Sequence, residues 1–180
     1  MYKAIGSKKR ISTEVKNDAV MSLYVTAIED LIGHETVLEM RNHFQHCHTS
    51  RLQHSINVSY YSFLICHYLK LDWQSAARAG LLHDLYFYTW SDDAASHKGH
   101  ISRHPKLALE NAKKVTELNA VEVDAITKHM WPCTLSPPKY PTSAVVNIVD
   151  TGVTIFEVLE RKYSASRLCH RLHTYENKSH

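Results

Sequence analysis

Six side chains that bind divalent cations occur along this 180-residue chain in the order His54, His83, Asp84, His104, His129 and Asp150. None carries weight alone. The chain holds 14 histidines, so one His-Asp neighbour pair is close to a chance event. The order carries more, because each residue falls inside or at the end of a segment with helical periodicity. Imidazole and carboxylate together suit Mn, Fe, Co, Ni or Zn. Six such groups exceed what one tetrahedral zinc needs, which points to two divalent ions.

The positioning elements read as helices. A first helix is expected over about 13–32, with Thr13 as N-cap, and a short one after Gly33. Residues 41–51, polar and His-rich, read as a loop. A helix over about 51–70 has apolar residues around much of its circumference, the mark of a buried helix, and carries His54 in its first turn. Asp72 caps a helix from 73 to about 84, rich in Ala and Gly, that ends on His83-Asp84. Gly80 inside it costs about 1 kcal/mol relative to Ala, a cost often accepted to let another backbone come close. A polar loop over 91–103 leads to His104-Pro105, which opens a helix to about 118. Another covers about 120–130 and ends with His129. Four of the five prolines crowd into 132–141, ahead of a last helix over about 142–162. That segment is rich in β-branched residues and could pass for a strand, but its length favours a helix. The chain therefore reads as all-α.

Asp150 is the most telling residue. Val146, Val153 and Phe156 stand at i−4, i+3 and i+6, and an ionised carboxylate on an apolar face is costly unless paired or metal-bound. Alternatively, Asp150 caps another helix or pairs with an arginine such as Arg78. His54 could be a hydrogen-bonded core histidine, His104 a helix-start residue, and His129 an imidazole favoured by the helix dipole. All these separate explanations must hold at once, whereas one metal site uses every residue.

Bulk properties bound the rest. The length suits one domain over 1–180, with a core at about 40–160, N-terminal helices over 13–40 and a basic tail over 161–180. Lys and Arg against Asp and Glu count 5 and 6 in residues 1–40, 11 and 11 in 41–160, and 5 and 1 in 161–180. The neutral body argues against nucleic acid as a partner. The tail is expected to fray or cover a neighbouring surface. No leader is evident, no run approaches a membrane span, and Cys47, Cys66, Cys133 and Cys169 lack CxxC spacing. The expectation is a cytoplasmic protein with reduced thiols and no membrane partner; a homo-oligomer is compatible with this.

His54, His83-Asp84 and Asp150 resemble the H…HD…D pattern of the HD-domain superfamily of metal-dependent phosphohydrolases. The resemblance spans about 40–160 and includes LQHSINVSYYS around His54, AARAGLLHD before Asp84, RHPKLALENA around His104, ITKHMWP around His129 and VNIVDTG around Asp150. The whole is similar to small stand-alone bacterial HD-domain proteins. The resemblance implies a helical bundle in which His54, His83 and Asp150 hold one ion, Asp84 bridges two, and His104 and His129 hold the second. Departures narrow the field. Met130-Trp131-Pro132 follows His129 where cyclic-di-GMP phosphodiesterases have a second histidine and a GYP loop. Leu85-Tyr86-Phe87 follows Asp84 where hydrolases of guanosine tetraphosphate carry an acidic pair. The nucleotidases with a Glu soon after the pair are also unmatched.

The resemblance implies hydrolysis of a phosphoester, a nucleotide or other small phosphorylated molecule, by a hydroxide bridging two ions about 3.5–4 Å apart. Lys128, Arg51 or Arg103 would stabilise charge on phosphate oxygens; alternatively these cations are solvated. The loop carrying His43, His46, Cys47 and His48 is either solvated or overhangs the site, with His46 touching phosphate. Trp131 and the aromatic run 86–90 are core or a base-stacking platform. Two other functions stay open on the same ligands: a di-iron oxygenase of the HD fold, and a non-catalytic nucleotide sensor.

Overall fold

The computed structural model describes residues 19–46, 49–87 and 100–176, with the side chains at 45, 46, 100 and 160–176 outside the description. The expected cap at Thr13 and residues 91–99 of the expected 91–103 loop therefore lie outside the described residues. Among the described residues seven helices dominate: α1 Ala19–Ile32, α2 Glu35–Glu39, α3 Arg51–Tyr68, α4 Trp73–Leu82, α5 His100–Val115, α6 Ala120–Lys128 and α7 Pro141–Glu176. The fold is all-α.

α3 packs on α4 and α7, and α6 packs on both of those partners. Leu52, Ile56, Val58, Phe63 and Cys66 of α3 are fully buried. The helix starts are fixed by side chains. Ser50 Oγ accepts from Gln53 N at 3.2 Å, and an Asp72 carboxylate oxygen accepts from Ser75 N at 3.0 Å. Asn119 and Glu122 form a reciprocal capping box at the start of α6. These caps set the phase of α3, α4 and α6, and so decide which way His54, His83 and His129 face.

The small residues of α4 serve the α3 contact. A Cβ at Gly80 would lie 2.7 Å from Ser59 Cα and 2.8 Å from Ser59 N. Ser59 Oγ also donates to the Ala77 carbonyl at 2.6 Å, which fastens the two backbones. Gly80→Ala should therefore destabilise the protein by about 1–3 kcal/mol, the usual cost of overpacking. It should do so despite a helix-propensity gain of about 1 kcal/mol. A urea midpoint equal to or above that of the parent chain would show that the α3–α4 spacing yields easily.

Four expectations need correction. Residues 41–51 are not wholly loop: a 3₁₀ turn at Met40–Asn42 precedes β1 Phe44–His46, which pairs antiparallel with β2 Thr49–Ser50. The polar side chains there gave no apolar alternation to read. α5 begins at His100, so His104 lies one turn inside it and Pro105 interrupts its hydrogen-bond ladder. α7 does not stop near 162, because its helical backbone continues to Glu176. Finally, Pro141–Leu159 has a mean hydropathy of 1.4 and is long and apolar enough to cross a membrane. Its Val and Ile residues outweigh Asn147, Asp150 and Glu157, which the fold uses for internal contacts.

Candidate metal centre

Two groups of potential ligands form where α3, α4, α5, α6 and α7 meet. His54, His83 and Asp150 make one; Asp84, His104 and His129 make the other. Within each, the ligand atoms lie within 4.8 Å of one another. α3 contributes His54 from its first turn. α4 ends on His83 as its C-cap, and Asp84 follows. α6 likewise ends on His129 as C-cap. At a C-cap the chain leaves the helix, so consecutive residues such as His83 and Asp84 can serve different groups.

The distances are short. His54 Nε2 is 3.0 Å from Asp150 Oδ1, and His83 Nε2 is 3.6 Å from both Asp150 Oδ1 and Asp84 Oδ2. Asp84 Oδ1 lies 3.5 Å from His104 Nε2 and 3.6 Å from His129 Nε2. The His83–Asp84 contact joins the two groups. Arg78, the alternative partner for Asp150, instead pairs with Asp30 at 2.8 Å and Glu122 at 3.0 Å.

Ring orientation is fixed from behind. His83 Nδ1 is 2.8 Å from the Gly80 carbonyl and His129 Nδ1 is 2.8 Å from the Ile126 carbonyl. A carbonyl can only accept, so each Nδ1 carries a proton and each neutral ring turns a bare Nε2 inward. His129 Nε2 and His104 Nε2 are 2.8 Å apart, so His104 donates there when both rings are neutral. Among the described residues, the buried His83 Nε2 has no hydrogen-bond partner. A buried nitrogen of this kind calls for an explanation, and a bound cation supplies one. The donor set, four imidazoles and two carboxylates, fits divalent ions of the Mn-to-Zn series.

The electrostatics are those of a charged cluster out of water. Burial alone would lower the His54 pKa, but hydrogen bonds to Asp150 and Glu157 outweigh it and push it up to about 10. His83 is likewise raised, against its burial, by Asp84 and Asp150. His129 is lowered, first by burial and then by His83. Burial opposes ionisation of both carboxylates. His83, with His104 and His129, nevertheless holds Asp84 well below the ordinary carboxylate range, and His54 and His83 do the same for Asp150.

The other predicted site residues are placed differently. Arg51 is buried, its guanidinium 3.6 Å above the Tyr86 ring, with Nη1 donating to the Tyr86 carbonyl. Lys128 Nζ pairs with Asp124 at 3.0 Å. Arg103 is exposed beside buried His104. Trp131 is 43% exposed and its carbonyl accepts from Asn147 Nδ2 at 2.6 Å. The backbone of His46 lies in β1, and its side chain is outside the description.

Two contributors are not evident from the sequence pattern. Asn147 Nδ2 donates to the carbonyls of both His129 and Trp131, tying the end of α6 to α7. Glu157 is buried and contacts both His54 and Asn57. The available signal was spacing: Asn147, Asp150 and Glu157 stand at i, i+3 and i+10, on one helical face.

A family model described as HD domain matches residues 51–150, more than half of the chain. The chain belongs to the HD domain family. Its members are in general metal-dependent hydrolases that bind divalent ions. No curated protein and no solved structure matches this chain.

Proposed function

We propose that this protein is a metal-dependent phosphohydrolase, a phosphatase or phosphodiesterase, acting on a nucleotide or other small phosphoester. One observation carries the reading: two imidazole–carboxylate groups meet at the His83–Asp84 pair. His54, His83 and Asp150 would hold one divalent ion, His104 and His129 the second, with Asp84 between them. Such ions act as Lewis acids on a phosphoryl group and acidify the attacking water.

The chain's own residues would do the rest. The backbone carbonyls of Gly80 and Ile126 hold His83 and His129 in the tautomer that ligation needs. Arg103 and Lys128, next to ligands His104 and His129, would neutralise phosphate oxygens. Lys128 would have to exchange Asp124 for phosphate to do so. Arg51 would act through Tyr86, whose ring also lies 5.3 Å from His104, as a fixed charge in the wall. Trp131 would stack on the organic part of the substrate, and His46 would touch phosphate.

The test is a panel of phosphomonoesters and phosphodiesters, run anaerobically with Mn²⁺. A hydrolase needs no change of metal oxidation state, so release of inorganic phosphate or of a phosphomonoester is expected. An oxygenase on the same ligands needs iron and O₂. If every phosphoester is inert while the iron-loaded protein consumes O₂ with an organic substrate, the hydrolase reading fails.

A further inference from the structure

The metal-centre reading gives no role to the buried carboxylate that touches its ligand His54. Glu157 is 6% exposed and sits two turns beyond Asp150 on the same face of α7. Its Oε2 is 3.1 Å from His54 Nδ1, and its Oε1 accepts from Asn57 Nδ2 at 2.9 Å. Asn57 is oriented in turn, since its Oδ1 accepts from Gln53 Nε2 at 3.0 Å. Two carboxylates of α7 thus grip one imidazole from both ends, Asp150 at Nε2 and Glu157 at Nδ1.

Resting on the metal-centre reading, we infer that Glu157 is a positioning residue that makes the His54–His83–Asp150 group the tighter of the two ion sites. The comparison lies within the site. His83 and His129 rest their Nδ1 on neutral backbone carbonyls, whereas His54 rests on a carboxylate. A charged acceptor forms the stronger hydrogen bond. It fixes the proton on Nδ1, keeps Nε2 bare for the ion and makes the imidazole a more basic ligand. A buried carboxylate is costly, and neutral residues could pack at position 157 without that cost.

Glu157→Gln tests this at constant shape. The glutamate presents two acceptor oxygens to two donors, the Asn57 amide and His54 Nδ1–H. An amide presents one acceptor and one NH₂, so one donor loses its acceptor. If the oxygen stays with Asn57, His54 must carry its proton on Nε2 and cannot ligate there. Adding Asn57→Asp lets the new carboxylate accept from the new NH₂, which turns the amide oxygen back to His54.

The experiment is calorimetric titration of the metal-free full-length protein with Mn²⁺, together with bound-metal analysis. The parent chain should bind two ions in two affinity classes. E157Q should weaken the tighter class by about 10–100-fold, the usual scale for removing such an outer partner. The double variant N57D/E157Q should recover much of the loss, a rescue that mere packing would not give. Two ions bound by E157Q with parental affinity would overturn the inference and leave the metal centre standing. A weakened E157Q with no recovery in the double variant would also overturn it. A parent chain that binds no ion would remove the metal centre itself and the inference with it.

Discussion

Asp84→Ala is expected to abolish turnover of any phosphoester substrate. The loss should be about 10⁴-fold or more, the scale on which removing one member of a catalytic unit is felt. Metal content should fall below two ions per chain. Asp84 is the carboxylate that faces His83, His104 and His129 at 3.5–3.6 Å. Without it the second group keeps only two imidazoles, a poor set for a divalent cation, and the link to the first group is gone. The fold should survive, because the helix starts depend on Ser50, Asp72 and Asn119 and not on this side chain. Metal analysis, a kinetic assay and circular dichroism on one sample test each part. A D84A protein that keeps two ions and turns over within tenfold of the parent would remove Asp84 from the centre.

The contrast between Asp84 and Glu157 shows what a sequence makes legible. His83-Asp84 could be read because it ends a small-residue helix whose cap, Asp72, is visible in the sequence. The helices could be read because their apolar period, caps and Pro punctuation are local. Glu157 could not be singled out, because a carboxylate in a helix is ordinarily solvated and only α3 packing shows that this one is buried. Arg51 shows the same limit from the other side. Beside a run of histidines it reads as a phosphate contact, and nothing local reveals that Tyr86 covers it. The sequence sets Phe156 in the apolar surroundings of Asp150. At i+6 it lies well round the helix, and it is half exposed while Val146 and Val153 are buried. The start of α5 was hidden because Pro105 normally marks a first turn. The length of α7 was hidden because 161–176 carries charge with no apolar run to follow.

The second large effect expected is an alkaline loss of stability that metal removes. In the metal-free protein the His54 pKa stands at about 10 against an ordinary value of 6.5. A group raised by folding stabilises the fold fully below its unfolded pKa and loses that contribution as pH rises through the folded one. Stability measured with a chelator should therefore fall between about pH 6.5 and 10, by up to several kcal/mol. His83 is raised too and acts in the same direction. Asp84 and Asp150 are depressed, so their contributions are present at neutral pH and are lost only in acid, below the ordinary carboxylate value of 3.8. With excess Mn²⁺ the decline should disappear, because the ion takes the place of the His54 proton; above about pH 6.5 neither the unfolded chain nor the loaded site then holds that proton, and stability should rise with pH only below 6.5. Urea unfolding across this range, with chelator and with Mn²⁺, gives both slopes. His54→Gln should flatten the metal-free decline, which separates His54 from other groups titrating in alkali. A parent chain whose metal-free stability is level from pH 6.5 to 10 would mean that His54 is not held as an imidazolium between Asp150 and Glu157.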